Sequence, residues 1–233
     1  VWPEFELDNV VDRIKAKKRV CVQCPNYPGM FEDLNRVLDA LPKIPISVSI
    51  PALEKGQLEA LEGKVERVGI SIDAATEEIF SKMKPHYSWD GVWQALEDTI
   101  EVFGKERVST HLIAGLGETE EEMVWVLERI ARMGITPSLF AFTPLGGTEL
   151  SGRERPSVAY YRRLQVARAS IVKGADQSEV IGDPATYVVR GCPDCDRPYY
   201  NESPQGPFYN WPRKPDKEEM SRIVEEFKLE KGE

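Results

Sequence analysis

Val108-Ser109-Thr110-His111-Leu112-Ile113-Ala114-Gly115-Leu116-Gly117-Glu118-Thr119-Glu120-Glu121-Glu122-Met123 runs from a β-rich segment through two glycines into a helix start. Val108 to Ala114 reads as a strand. Thr119, followed three residues on by Glu122, makes a capping box. Met123, Val126, Leu127 and Ile130 then recur at helical spacing until Gly134 closes the helix. Glycines let a backbone approach a ligand closely, and a helix start offers unpaired N–H donors. A tight strand-to-helix turn with its cap accounts for the same residues equally well.

The flanking sequence repeats the alternation. Ser88 is a candidate N-cap for a helix with Val92, Leu96, Ile100 and Phe103 on one face and Gly104 as its stop. Before it, Val65 to Asp73 is rich in β-branched residues and predicts a strand ending in a carboxylate. Further back lie a short helix over Leu53 to Leu61 and a strand over Ile44 to Ile50 that Pro51 ends. Phe31, Leu34, Val37, Leu38 and Leu41 form a helical stripe, preceded by a strand over Arg19 to Gln23 and a helix marked by Val10, Val11 and Ile14. Downstream, Ser138 to Thr143 predicts a strand and Ser157 to Lys173 a helix. Five strands in strict alternation with helices predict a parallel sheet. Right-handed crossovers then allow an open doubly wound sheet or a barrel, and periodicity does not choose between them. In both, chemistry gathers at the C-terminal ends of the strands.

Beyond Ile181 the character changes. Pro193, Pro198, Pro204, Pro207, Pro212 and Pro215 exclude a helix there, while Tyr199, Tyr200, Phe208, Tyr209 and Trp211 are too apolar for a solvated linker. This predicts an extended tail pinned to the preceding domain by its aromatics, then a last helix from about Lys217 to Lys228. The expected organisation is a barrel over 1–180 and an extension over 181–233. Hydrophobic residues make up 41% of the 233, enough for a folded core rather than a disordered chain. A net charge of -9 argues against a general nucleic-acid binder. No apolar run approaches the ~18 residues of a membrane span and no signal-peptide pattern is present, so a cytoplasmic protein is expected.

Three strand ends, in their order, resemble one superfamily. They are Val65-Glu66-Arg67-Val68-Gly69-Ile70-Ser71-Ile72-Asp73, the Ile113 to Glu118 segment, and Phe140-Ala141-Phe142-Thr143-Pro144-Leu145-Gly146-Gly147-Thr148-Glu149-Leu150. They are similar to the radical S-adenosylmethionine (SAM) enzymes, most of all to the biotin synthase and lipoyl synthase branch. The resemblance covers about residues 5 to 175. It implies a partial six-stranded (β/α) TIM-like barrel whose second strand is Arg19 to Gln23. It implies that Ser71 and Asp73 hold the SAM ribose, and that Ile113, Gly115, Leu116, Gly117 and Glu118 line its adenine and methionyl part. Phe140 and Phe142 would face the adenine, although alternation along a strand allows either to be structural. His111 stands where the family usually has glycine; it reads either as a hydrogen-bonded core histidine or, facing the interior, as a contact to SAM or substrate.

The superfamily holds its catalytic [4Fe–4S] cluster on a CxxxCxxC loop after the first strand, and that spacing does not occur in these 233 residues. The resemblance places the loop just before Val1. The four cysteines form two CxxC pairs, Cys21/Cys24 and Cys192/Cys195, which suggests one shared site. That site is either a structural zinc clip or an auxiliary [4Fe–4S] cluster, with independent thiols a third alternative. Cys21 falls where biotin synthase places a ligand of its sulfur-supplying cluster, but Ser47 and Ser109 stand at other ligand positions of that cluster. The tail from Gly191 to Glu202 also resembles archaeal radical SAM proteins related to two-component lipoyl synthases.

The resulting expectation is a lipoyl synthase-like sulfurtransferase acting on an octanoyl chain of an acyl-carrier or lipoyl-domain protein, with a second radical SAM subunit as a further candidate partner. Another biotin synthase-like enzyme, or a non-catalytic partner subunit, is the alternative. Arg153/Arg155 and Arg162/Arg163 could dock an acidic carrier or simply be solvated helix faces. His86 reads as a surface or capping residue.

Overall fold

The computed structural model describes residues 3–188 and 206–228. Cys192, Cys195, Pro193, Pro198, Pro204, Tyr199 and Tyr200 lie outside them. Among the described residues one sheet forms, from β1 (Val20–Gln23), β2 (Ile46–Ile50), β3 (Arg67–Ile70), β4 (Val108–Ala114) and β5 (Thr136–Ala141). All neighbouring strands pair in parallel, and their spatial order is their sequence order. A doubly wound sheet reverses its strand order partway, whereas unreversed right-handed crossovers put every connecting helix on one face. The architecture is therefore a partial TIM-like barrel.

The helices follow from their periodicities. α1 (Leu7–Ile14) precedes the sheet, and α2 (Met30–Ala40) buries Met30, Leu34 and Leu38 at four-residue spacing. α3 (Lys55–Leu61) buries Leu58 and Leu61. α4 (Glu77–Met83) is a short helix that buries Phe80, with the Thr76 hydroxyl accepting from the Ile79 amide at its start. α5 (Trp89–Phe103) begins where Ser88 Oγ accepts from the Gly91 amide and stops at Gly104. In α6 (Glu120–Arg132) Thr119 Oγ1 accepts from Glu122 N–H at 3.2 Å while Glu122 Oε2 accepts from Thr119 N–H at 2.8 Å, the reciprocal cap the sequence called for. α7 (Val158–Lys173) is capped by Ser157, and α8 (Gln177–Ile181) and a 3₁₀ turn (Pro184–Thr186) follow it. α9 (Lys217–Lys228) ends the described chain.

Alternation assigns the two faces of the sheet. Val48, Ile50, Val68, Ile70, Val108, Leu112, Leu139 and Ala141 pack under the helices in the main core. Register puts Cys21 beside Ser47, Gln23 beside Ser49, His111 beside Ser138 and Ile113 beside Phe140, on the opposite, inner face. Gly69 leaves room there: an added Cβ would lie 3.0 Å from Ser109 Oγ. The inner face is thus largely polar, as barrel interiors that enclose ligands can be.

α7 divides its buried residues between two clusters. Tyr161 and Leu164 join the main core, while Val166 and Ala169 pack with Val180, Tyr187, Trp211 and Ile223. Arg162 is fully buried between them. Its guanidinium donates to Glu226 Oε2 at 2.8 Å, Gln165 Oε1 at 2.7 Å, the Tyr209 carbonyl at 2.6 Å and the Phe208 carbonyl. Tyr209 stacks edge-on against Tyr161, and its hydroxyl donates to Pro156 O at 2.8 Å. The expected aromatic pinning holds for Phe208, Tyr209 and Trp211. Arg162 corrects the docking expectation, because a side chain enclosed this way presents no charge to a partner.

Candidate active site at the mouth of the barrel

β3 ends at Ile70, and the chain returns to the sheet at Asp73. The Asp73 amide donates to His111 O at 2.8 Å, and its carbonyl accepts from Ile113 N–H at 2.8 Å, a one-residue bridge opposite Leu112. Between these contacts Asp73 sits at φ +65°, a region that non-glycine residues take at a cost and that recurs at functional sites. The carboxylate is thereby turned over the C-terminal end of the sheet. Lys84, the C-cap of α4, meets it with Nζ 2.6 Å from Asp73 Oδ2 and donates to Ser71 O at 2.7 Å.

One strand over, His111 and Ile113 point to the same inner face. His111 Nδ1 lies 3.0 Å from Ser71 Oγ, and its ring meets Phe140 edge-on at 5.0 Å. A cavity of about 520 Å³ opens here, lined by Asp73, His111, Ile113, Leu116, Phe140 and Phe142, and also by Gln23, Ser49 and Lys84. Six of the residues singled out in the sequence therefore meet in one space. Phe140 and Phe142 both face it, because residues two apart share a strand face. A smaller polar cavity of about 210 Å³ adjoins it, lined by Ser71, Cys24, Asn26 and Tyr87 and sharing Ser49, Asp73 and Lys84.

The glycine turn acts from behind this lining. Glu118 places Oε1 2.6 Å from the Gly115 amide and Oε2 2.9 Å from the Leu116 amide, and it accepts from Tyr160 Oη at 2.9 Å. Both carboxylate oxygens thus hold the turn. Burial, together with the neighbouring Glu118 carboxylate, pushes the Tyr160 phenol upward and keeps it a donor. Gly115 needs its φ of +99° and its missing Cβ, which would fall 2.8 Å from Pro156 Cδ. Gly115, Gly117 and Glu118 shape the wall through Leu116 and are not among the residues lining either cavity.

Cys21 is exposed on β1 with the inner-face parity of Gln23. Cys24, just past the strand, packs partly against the main core, and burial raises its thiol pKa. Among the described residues no three His, Cys, Asp or Glu side chains converge as a metal site. Ser47 accepts from Arg19 Nη1 at 3.1 Å. His86 is exposed between α4 and α5. Among the described residues no helix is long and apolar enough to cross a membrane.

Lys84, Gln23 and Ser49 were missed in the sequence. Gln23 and Ser49 carry a findable signal, since each is a polar residue near the C-terminal end of its strand, alternating with apolar neighbours.

Methylornithine synthase (PylB) superposes with a TM-score of 0.61 at 18% identity, over 72% of this chain and 52% of that one. HydG, a maturase of the [FeFe]-hydrogenase, superposes with a TM-score of 0.63 at 14% identity, over 74% of this chain and 44% of its own. This chain spans about half the length of these structures, and at such identities the likeness shows the fold. No curated protein matches it in sequence. Residues 5–130 match the model of the Radical SAM superfamily, more than half of the chain, and with this fold and this mouth the chain belongs to that superfamily.

Proposed function

We propose that the mouth cavity binds SAM and that the protein is a sulfur-insertion enzyme of the lipoyl synthase type. The observation that carries the SAM site is the convergence of the Asp73 carboxylate with Ile113, Leu116, Phe140 and Phe142 around one cavity. A carboxylate suits two ribose hydroxyls, and flat apolar walls suit an adenine. The cavity volume falls in the range of small-ligand sites. These residues fit SAM, and membership of the superfamily implies both SAM and a [4Fe–4S] cluster.

When bound, these groups supply a carbon-centred radical able to take hydrogen from an unactivated carbon. The chain's own part is to bind and orient. Asp73 would accept from the ribose, the glycine turn would hold Leu116 against the ligand, and Phe140 and Phe142 would keep water from the adenine. Residues 1–233 hold no CxxxCxxC loop, so they offer the radical cluster no ligand set of that spacing. For the auxiliary site, Cys21 shares the inner-face parity of Gln23 and Cys24 lines the adjoining cavity, which supports a sulfur-donating [4Fe–4S] cluster completed by Cys192 and Cys195. Docking of an octanoylated carrier domain is part of the same reading.

A second reading, a radical SAM enzyme acting on a small polar substrate, is favoured by the polar inner face at Gln23, Ser49 and His111. There the four cysteines would hold zinc. Iron, sulfide and zinc per chain, measured on the protein reconstituted without air, separate the two. The four cysteines of residues 1–233 suffice for one such site, so about four irons with matching sulfide supports sulfur insertion, and one zinc without iron supports the second. Failure of the folded protein to bind SAM would refute both.

A further inference from the structure

Lys84 joins the two cavities. Its ammonium touches Asp73 Oδ2 and the Ser71 carbonyl, and it stands 5.7 Å from the Phe80 ring centroid and 5.6 Å from that of Tyr87. A lysine is normally a mobile point charge, and the Ser71 carbonyl together with the two ring faces restrains this one. The Asp73 backbone is fixed on both sides by β4, so its side-chain torsions are its remaining freedom. Lys84 occupies one carboxylate oxygen, while Oδ1 makes no hydrogen bond to a described residue.

We infer that Lys84 is a positioning residue for ribose recognition: it holds the Asp73 carboxylate so that Oδ1 faces the cavity as an acceptor. The inference rests on the reading of the cavity as a SAM site. A half-buried carboxylate without its cation would turn toward water, and the ribose would then lose an oriented charged acceptor. The adenine walls, Phe140 and Phe142, belong to another strand and would be untouched. Loss of Lys84 should therefore weaken the discrimination between a ribose and a deoxyribose more than it weakens nucleoside binding as such.

Calorimetric titration of adenosine and 2'-deoxyadenosine into the wild type, Lys84→Met and Lys84→Arg reads this directly. The wild type should prefer adenosine about tenfold or more, the value of one charge-assisted hydrogen bond. Lys84→Met should fall below about threefold, and Lys84→Arg, which keeps a cation with donors for Asp73 Oδ2 and the Ser71 carbonyl, should recover most of the ratio. Lys84→Gln carries the same expectation as the Met variant if the latter does not fold. Equal weakening of both nucleosides with the ratio intact would make Lys84 a structural filler and overturn the inference alone. A wild type that binds neither nucleoside removes the SAM-site reading, and this inference with it.

Discussion

Glu118 offers a quantitative test of how the mouth is built. Its carboxylate holds three donors at 2.6, 2.9 and 2.9 Å, two of them successive amides of the glycine turn. Glu118→Ala leaves all three without this acceptor. Hydrogen bonds to a charged group contribute about 1.5–3 kcal/mol each when buried, and water can re-solvate part of this site, so a loss of about 3 kcal/mol is expected. For a domain of this size that lowers the thermal midpoint by about 6–12 °C. Glu118→Gln keeps the shape but turns an NH₂ group toward an amide donor, and should lose about 2 kcal/mol. Urea denaturation followed by circular dichroism measures both, with an unchanged slope showing that the unfolded state is not altered. Because Leu116 lines the cavity, nucleoside affinity should fall in the same variants. Stabilities within about 0.5 kcal/mol of wild type for both would refute the reasoning and leave the turn to its glycines and the Thr119 cap.

Other perturbations test other parts of the account. Gly115→Ala meets both a left-handed φ and Pro156 Cδ, and should lose about 2–4 kcal/mol, of which the added change Pro156→Ala returns a part. Arg162→Met leaves two carbonyls and Glu226 without their buried cation, and should cost about 3–5 kcal/mol and open the 206–228 segment to limited proteolysis. Burial pushes the Tyr187 phenol up to about 12. The neutral form is thus favoured by folding, and this contribution is intact below pH about 10, where the unfolded phenol is also protonated, and is lost as pH rises toward 12. Urea midpoints between pH 9 and 12 should fall more steeply for the wild type than for Tyr187→Phe.

Much of the fold was legible because its signals are local. Ser88, Thr119 and Ser157 each cap the helix they precede, and Gly104 and Gly134 stop two of them, so punctuation together with helical spacing located the Ser88 and Thr119 helices. Periodicity left strand order open, since neighbouring strands are set by crossover packing, and it was the resemblance that pointed to the barrel order the sheet has. α4 and α8 escaped notice because each buries a single apolar residue, Phe80 and Val180, and so displays no helical stripe. β5 starts two residues earlier than its apolar pattern suggested. Pro137 is admissible there because β5 ends the sheet order, where a missing N–H breaks no ladder. At the site, the resemblance pointed to Asp73 and the two phenylalanines at strand ends, while a structural role stayed open for the phenylalanines and a core role for His111. The role of Glu118 was not, because a carboxylate beside a ligand loop and one that folds back on its own turn look alike in sequence. Lys84 lay in a charged helix end, where solvated lysines are the ordinary case.

In the proposed site, Asp73 and the apolar walls around it hold SAM. Equilibrium dialysis of labelled SAM against the wild type and Asp73→Asn tests it most directly. Saturable binding by the wild type is expected, with a loss of about ten- to a hundredfold in the variant and little change in its melting temperature. Equal affinity in the two folded proteins, or no saturable binding by the wild type, would contradict it.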